Sequence, residues 1–267
     1  MPEQRIKLST CAPGVKLLQL NRPAQRNALD DDMVQQFERA LDRVERDQNC
    51  RVLIVTGAGK GFCAGFDLSL VNDAPGSQFG ETAAWAHRQE RFSALVARLR
   101  SLRQPVIAAV NGAASGAGFC IALGADVRLA ARSARFNAAF VKIGLSSCDM
   151  GLSWLLPRCV GMSHAFELML TGRFVNGAEA ERIGLVSELV DDEQLVARAL
   201  QTAQLIVANS AFGVWMTKRG MWANLENPSM ASAMELENRS QILARTTGDM
   251  QTLVKARMSG RTAAKSR

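Results

Sequence analysis

The sequence predicts an α/β fold with a layered core. Short apolar, β-branched runs recur along the chain as far as about residue 190. Between them lie stretches with apolar residues at helical spacing, and beyond about residue 195 that spacing continues with no further strand.

Runs at 15–20, 52–56, 105–110 and 127–130 read as buried strands, with a shorter one at 185–190. A helix is predicted over 30–46, where Met33, Phe37, Leu41 and Val44 share a face and Asp30 is placed to cap it. A second covers 84–102, with Phe92, Leu95, Val96 and Leu99 on one side. Helical segments at 195–208, 212–225 and 228–244 follow, separated by Asn209-Ser210 and Asn227-Pro228. The expected division is therefore a core over 1–195 and a helical region over 196–267, with 255–267 as a frayed basic tail. Residues 71–83, rich in Gly, Pro and small polar residues, are either a lid or an inert surface connection.

Of the 267 residues, 48% are hydrophobic and 21% charged, as in an ordinary globular protein. No apolar run approaches the ~20 residues of a membrane span. The first residues carry no apolar signal region, so a cytoplasmic location is expected. None of the six cysteines forms a Cys-x-x-Cys pair, which suits reduced, mostly buried thiols. The two histidines, His87 and His164, lie far apart and suggest no metal site. A net charge of +7 suits a polyanionic ligand, but the arginines are spread along the chain and mark no nucleic-acid surface.

Two glycine-rich segments stand out: Gly61-Phe62-Cys63-Ala64-Gly65-Phe66-Asp67-Leu68, and Val110-Asn111-Gly112-Ala113-Ala114-Ser115-Gly116-Ala117-Gly118. Each follows a predicted buried strand. Small residues there let backbone N–H groups approach a ligand closely, and two such turns converging can donate to one oxygen as an oxyanion hole. Nucleotide motifs fail. Lys60 is followed by Gly61 rather than Ser or Thr, and Phe62 stands where a dinucleotide fingerprint needs a glycine. Gly161-Met162-Ser163-His164 lacks the last glycine of a nucleophile elbow, so Ser163 reads as the cap of a helix over 164–170.

Further short segments accompany these: Leu20-Asn21-Arg22-Pro23, Arg26-Asn27-Ala28-Leu29, Ala125-Asp126-Val127-Arg128, Leu155-Leu156-Pro157-Arg158, Leu170-Thr171-Gly172 and Ile183-Gly184-Leu185-Val186. In this order and spacing the chain resembles the crotonase (enoyl-CoA hydratase/isomerase) superfamily over nearly its whole length. The resemblance implies a spiral of repeated ββα units, with a C-terminal helical region that packs on neighbouring subunits in a homotrimer or homohexamer. The alternative is that this region folds back on its own core. The implied ligand is an acyl-CoA thioester, with coenzyme A entering as part of the substrate and no other cofactor.

By the same resemblance the oxyanion donors are the N–H groups of Phe66 and Ala117. Coenzyme A would meet Ala24, Arg26, Asn27, Ala28, Leu29, Gly65, Asp67 and Leu68, and Arg22 or Arg26 would meet its phosphates. The default chemistry is hydration of a 2-enoyl-CoA, a lyase reaction of fatty acid metabolism. However, the two glutamates of family hydratases fall on Cys120 and Phe140 here. General acid–base catalysis contributes roughly 10²–10⁴-fold, so their loss matters. Asp149 lies one residue beyond the position of a working aspartate in some relatives, and Glu90 sits in a region from which relatives project polar groups. An isomerase, or other enolate chemistry using Asp149 or Glu90, and a non-catalytic acyl-CoA-binding protein are therefore the alternatives. Cys120 reads as a core filler rather than a nucleophile.

Overall fold

The computed structural model describes residues 3–73, 76 and 78–265. It divides into two units, Met1–Gln204 and Leu205–Arg267. The first opens with an antiparallel hairpin, β1 (Ile6–Ala12) and β2 (Val15–Leu20), followed by α1 (Asp31–Arg46). Then one pattern recurs: a strand of one sheet, a three-residue strand of a second sheet, a helix. The first turn is β3 (Val52–Gly57), β4 (Gly61–Cys63) and α2 (Glu81–Ser101). Next come β5 (Val106–Val110), β6 (Ala113–Ser115) and α3 (Ala117–Leu123). The third is β7 (Val127–Ala131) and β8 (Arg135–Asn137), leading to α4 (Leu152–Val160) and α5 (Met162–Thr171). The unit closes with β9 (Val175–Asn176), α6 (Gly177–Arg182), β10 (Glu188–Val190) and α7 (Leu195–Val207).

The large sheet has the order β1-β2-β3-β5-β7-β10 and the small one β4-β6-β8-β9. Each turn of the chain adds the next parallel neighbour to both sheets, so the expected α/β spiral of ββα units is present. The strands β3 and β5 are buried along their whole length. This is the pattern of parallel strands covered on both faces, and it explains their continuous apolar sequence.

The cap expected at Asp30 is in place, its carboxylate accepting the Met33 N–H at 2.8 Å. Met33, Val34, Phe37, Leu41 and Val44 form the buried stripe of α1. Phe37 is fully enclosed, so Phe37→Ala would cost about 3–5 kcal/mol. On the outer side, Arg91–Glu38 at 3.0 Å and Arg98–Asp42 at 2.7 Å link α2 to α1.

Three details differ from expectation. β10 starts only at Glu188, because the backbone before it bonds to Arg128: Nε of Arg128 donates to the Leu185 carbonyl at 2.8 Å, and the Ser187 N–H donates to the Arg128 carbonyl at 2.9 Å. Ser163 is not a cap; α5 starts two residues earlier than expected, at Met162, with Gly161 at φ 80° in the cap position. The tail is not frayed throughout, since a helix runs over 249–265.

The unit from Leu205 is helical: α8 (Ala211–Asn224), α9 (Met230–Arg245) and α10 (Asp249–Lys265). Ser210 caps α8, accepting the Gly213 N–H at 3.0 Å, and bonds to Asp249 at the start of α10. The division between units falls inside α7, whose first residue is 195. No helix among the described residues is long and apolar enough to cross a membrane.

Candidate active site

The topology explains why two glycine segments some fifty residues apart come together. They leave the C-terminal ends of β4 and β6, which are adjacent parallel strands paired at Gly61↔Ala113 and Cys63↔Ala114. Gly65 and Gly118 make the approach possible. A Cβ on Gly65 would lie 2.8 Å from the Ser115 carbonyl oxygen and 3.3 Å from the Ala117 nitrogen. One on Gly118 would lie 2.2 Å from the Cys63 carbonyl oxygen. Gly65 also has φ 93°, a region L side chains avoid.

Phe66 forms a parallel bridge with Leu29, in which the Leu29 N–H donates to Gly65 O at 2.7 Å and the Asp67 N–H to Leu29 O at 2.9 Å. Successive N–H groups of an extended chain alternate sides. The Phe66 N–H therefore faces away from Leu29. Ala117 is the first residue of α3, where an N–H has no partner within the helix and carries the positive end of its dipole. Among the described residues, neither the Phe66 nor the Ala117 N–H has a protein acceptor. Two unengaged donors on neighbouring turns can hold one anionic oxygen.

The segment expected to meet coenzyme A wraps around this site. Ala24 lies in a 3-10 turn over Pro23–Gln25 and is exposed, as is Arg26. Arg26 and Asn27 both have left-handed backbone, φ 50° and 58°. Asn27 is fully buried and its side chain fixes the loop: it donates to Ala58 O at 2.9 Å and Gly61 O at 2.8 Å and accepts the Arg22 N–H at 2.8 Å. Ala28 is buried and its carbonyl accepts from Arg22 at 2.6 Å; Leu29 is fully buried, and Leu68 is 54% exposed.

Arg22 corrects its expected role toward phosphates. Its Nη1 also lies 3.0 Å from Asp67 and 3.2 Å from Asp30, with the side chain about 10% exposed, so it is an internal tie between the segment and the first oxyanion turn. Burial pushes the Asp67 carboxyl up, but hydrogen bonds from Ser69 and Arg22 outweigh it and hold the group below its ordinary range.

The acid–base positions are the most informative. Cys120, one turn along α3 from Ala117, is fully buried, and its thiol meets the Asp149 carbonyl oxygen at 3.8 Å. Burial, reinforced by the Asp149 charge, pushes this thiol well above its ordinary range, so it is no thiolate nucleophile. Phe140, in a 3-10 turn over Ala139–Ile143, places its ring 3.8 Å from where a Gly116 Cβ would be. The two positions together present a thiol and an aromatic ring to the turn bearing Ala117.

Asp149 is brought to the same place. It is half-buried, and burial raises its carboxyl above the usual range despite hydrogen bonds from the Met150 N–H and the Gln89 side chain. Gln89, on α2, is the partner that sequence reasoning missed. The structure places Glu90 in solvent, while its neighbour Gln89 reaches Asp149. No local motif marks Gln89; only the packing of α2 against α3 and the Asp149 turn does.

The same helix backs the oxyanion turn. The Phe66 ring meets Phe92 edge-on at 5.7 Å, and the Arg88 guanidinium lies 5.9 Å from the Phe66 ring centre. Buried Arg88 is ion-paired with Asp31 and donates to the Asp73 carbonyl at 2.7 Å, anchoring the near end of the 71–83 segment. Positions 74, 75 and 77 of that candidate lid lie outside the described residues. Its described part exposes Val71 at 55% and Phe79 at 79%.

The enoyl-CoA hydratase/isomerase family model matches residues 10–257. A protein of Mycobacterium bovis named "Probable enoyl-CoA hydratase echA12" is 41% identical over 93% of this chain and 88% of its own. The 1,2-epoxyphenylacetyl-CoA isomerase of Escherichia coli K12 is 40% identical over 95% of both chains. A crystal structure of a "probable enoyl-CoA hydratase/isomerase" from Mycobacterium abscessus superimposes with a TM-score of 0.90 at 36% identity, covering 97% of each chain.

Proposed function

The chain belongs to the enoyl-CoA hydratase/isomerase family, and from that premise we propose that it shifts the double bond of an enoyl-CoA by moving a proton, rather than adding water. That it is an acyl-CoA-binding enzyme of the hydratase/isomerase type follows from the family and its relatives. The proton-transfer reading rests on one observation: a single half-buried carboxylate, Asp149, stands beside Cys120, while Phe140 offers no second acid.

The thioester oxygen of a 3-enoyl-CoA accepts hydrogen bonds from the Phe66 and Ala117 N–H groups. The Asp149 carboxylate takes a proton from C2, and the C–H electron pair delocalises onto the held oxygen. The resulting carboxylic acid returns the proton to C4, the charge leaves the oxygen, and the double bond lies between C2 and C3. One group does both transfers, so the reaction balances with no second acid or base. A raised affinity for protons makes Asp149 a stronger base than an ordinary carboxylate. Exposed Arg26, with the backbone near Ala24 and Gly65, faces the coenzyme A moiety. The exposed apolar side chains of the helical unit, Met221, Met230, Ile242 and Met258 among them, are covered by neighbouring subunits of a homotrimer or homohexamer.

The test is spectroscopic. Purified protein given a 3-enoyl-CoA should generate the conjugated thioester absorbance, and given a 2-enoyl-CoA should exchange C2 and C4 hydrogens with deuterated water. Steady loss of the conjugated absorbance from a 2-enoyl-CoA would establish hydration instead. A rise in melting temperature on adding thioester, with neither reaction, would leave only a binding protein.

A further inference from the structure

We propose that Gln89 is the positioning residue of the reacting carboxylate, its side-chain amide on α2 bound to one oxygen of Asp149 so that the carboxylate is held ready for the proton. This rests on the reading of Asp149 as the acid–base group.

The Gln89 Nε2 has two hydrogens and two partners. One bond goes to Asp149 Oδ1, and the other to Ser93 Oγ at 3.3 Å, one helical turn further along α2. The ionised carboxylate only accepts, so it fixes the amide with its nitrogen toward Asp149, and the Ser93 hydroxyl takes the second hydrogen. Asp149 itself sits in a turn whose backbone is pinned: its carbonyl accepts the Leu152 N–H at 2.8 Å and meets the Cys120 thiol. With the backbone and Oδ1 both fixed, the carboxylate torsion is set. The Met150 N–H is a second donor to the carboxylate, so Gln89 is its side-chain partner beside one backbone N–H.

The bond also acts on the charge state, against the larger effect of burial. A donor to the ionised form favours it, so Gln89 counteracts the burial that raises the carboxyl. Other groups around Asp149 do not substitute for it. The Cys120 thiol on α3 stays protonated, Arg88 on α2 is committed to Asp31, Glu90 faces solvent, and Arg158 on α4 stacks on Trp154 at 3.9 Å. Gln89 is exposed, so replacing it leaves the core intact.

Three variants are compared with wild type: Gln89→Leu, Gln89→Asn and Asp149→Asn. Gln89→Leu should lower kcat by about 10- to 100-fold, the range for losing a hydrogen bond to a charged group. KM should change less than about threefold. The acidic limb of kcat/KM should move to higher pH, because the ionised carboxylate has lost its side-chain donor. Gln89→Asn, a shorter amide, should recover part of kcat.

The same protonation is read without turnover by carbon-13 NMR of protein labelled at aspartate carboxyls, with Asp149→Asn assigning the signal. The Asp149 titration should move up in Gln89→Leu. Unchanged kcat, or an Asp149 titration that does not move, overturns the positioning role while the function reading stands on Asp149→Asn being inactive. Wild-type turnover in Asp149→Asn overturns the function reading itself, and with it any role of Gln89 in the reaction.

Discussion

Gly65→Ala is the most direct probe of the oxyanion site. The added methyl would lie 2.8 Å from the Ser115 carbonyl oxygen, whereas carbon–oxygen contacts normally lie near ~3.3–3.6 Å. The obstacle is backbone, so no side chain can rotate out of the way. The turns after β4 and β6 must separate by about half an ångström or more, and they carry the two donors. Loss of one oxyanion donor lowers kcat by about 10²–10³-fold, and misplacement by about 1 Å costs ~10²-fold. A fall near 10²-fold in kcat is therefore expected, with thioester affinity changed little because most of the residues proposed to meet coenzyme A lie elsewhere. The methyl at φ 93° adds strain of about 1–3 kcal/mol, which urea denaturation reads separately. The assay is initial-rate enoyl-CoA turnover together with calorimetric thioester binding. A correctly folded Gly65→Ala protein with wild-type kcat would refute the argument that these turns converge on one oxygen.

Two further outcomes follow from named groups. Asp149→Asn should abolish turnover without lowering the melting temperature. The folded state holds the Asp149 proton more tightly than the unfolded chain, so this group's contribution is full below its unfolded pKa and is lost as pH rises through the raised folded value. Asparagine removes that loss, and a melting temperature clearly below wild type at neutral pH would contradict it. Arg22→Met should cost about 3–5 kcal/mol, because it leaves the Asp30 and Asp67 carboxylates without this partner in a largely buried place. A change under about 1 kcal/mol in urea would show that Arg22 is not the internal tie described.

Much of the core was legible because long elements carry long patterns. The stripe of α1, its cap at Asp30 and the apolar runs of β2, β3, β5 and β7 all follow from spacing and capping chemistry. The small sheet was not legible. Its strands β4, β6 and β8 have three residues each, made partly of glycine and alanine, too short for alternation to show. They are nevertheless what brings Gly65 beside Ala117. In the candidate site, the residue types at 66, 117, 120, 140 and 149 could be quoted from the sequence. Their neighbours could not: Gln89 reaches Asp149 across 60 positions, and Arg22 reaches Asp67 across 45. Contacts of that kind belong to tertiary packing, which leaves no periodic trace.

Because the groups proposed to hold the anionic oxygen are peptide nitrogens, no ordinary codon change at 66 or 117 deletes them; only proline would. Variation at 120, 140, 149 or 89 can accordingly exchange one proton-handling scheme for another over an unaltered electrostatic anchor. The scaffold separates what steadies the intermediate from what decides its fate.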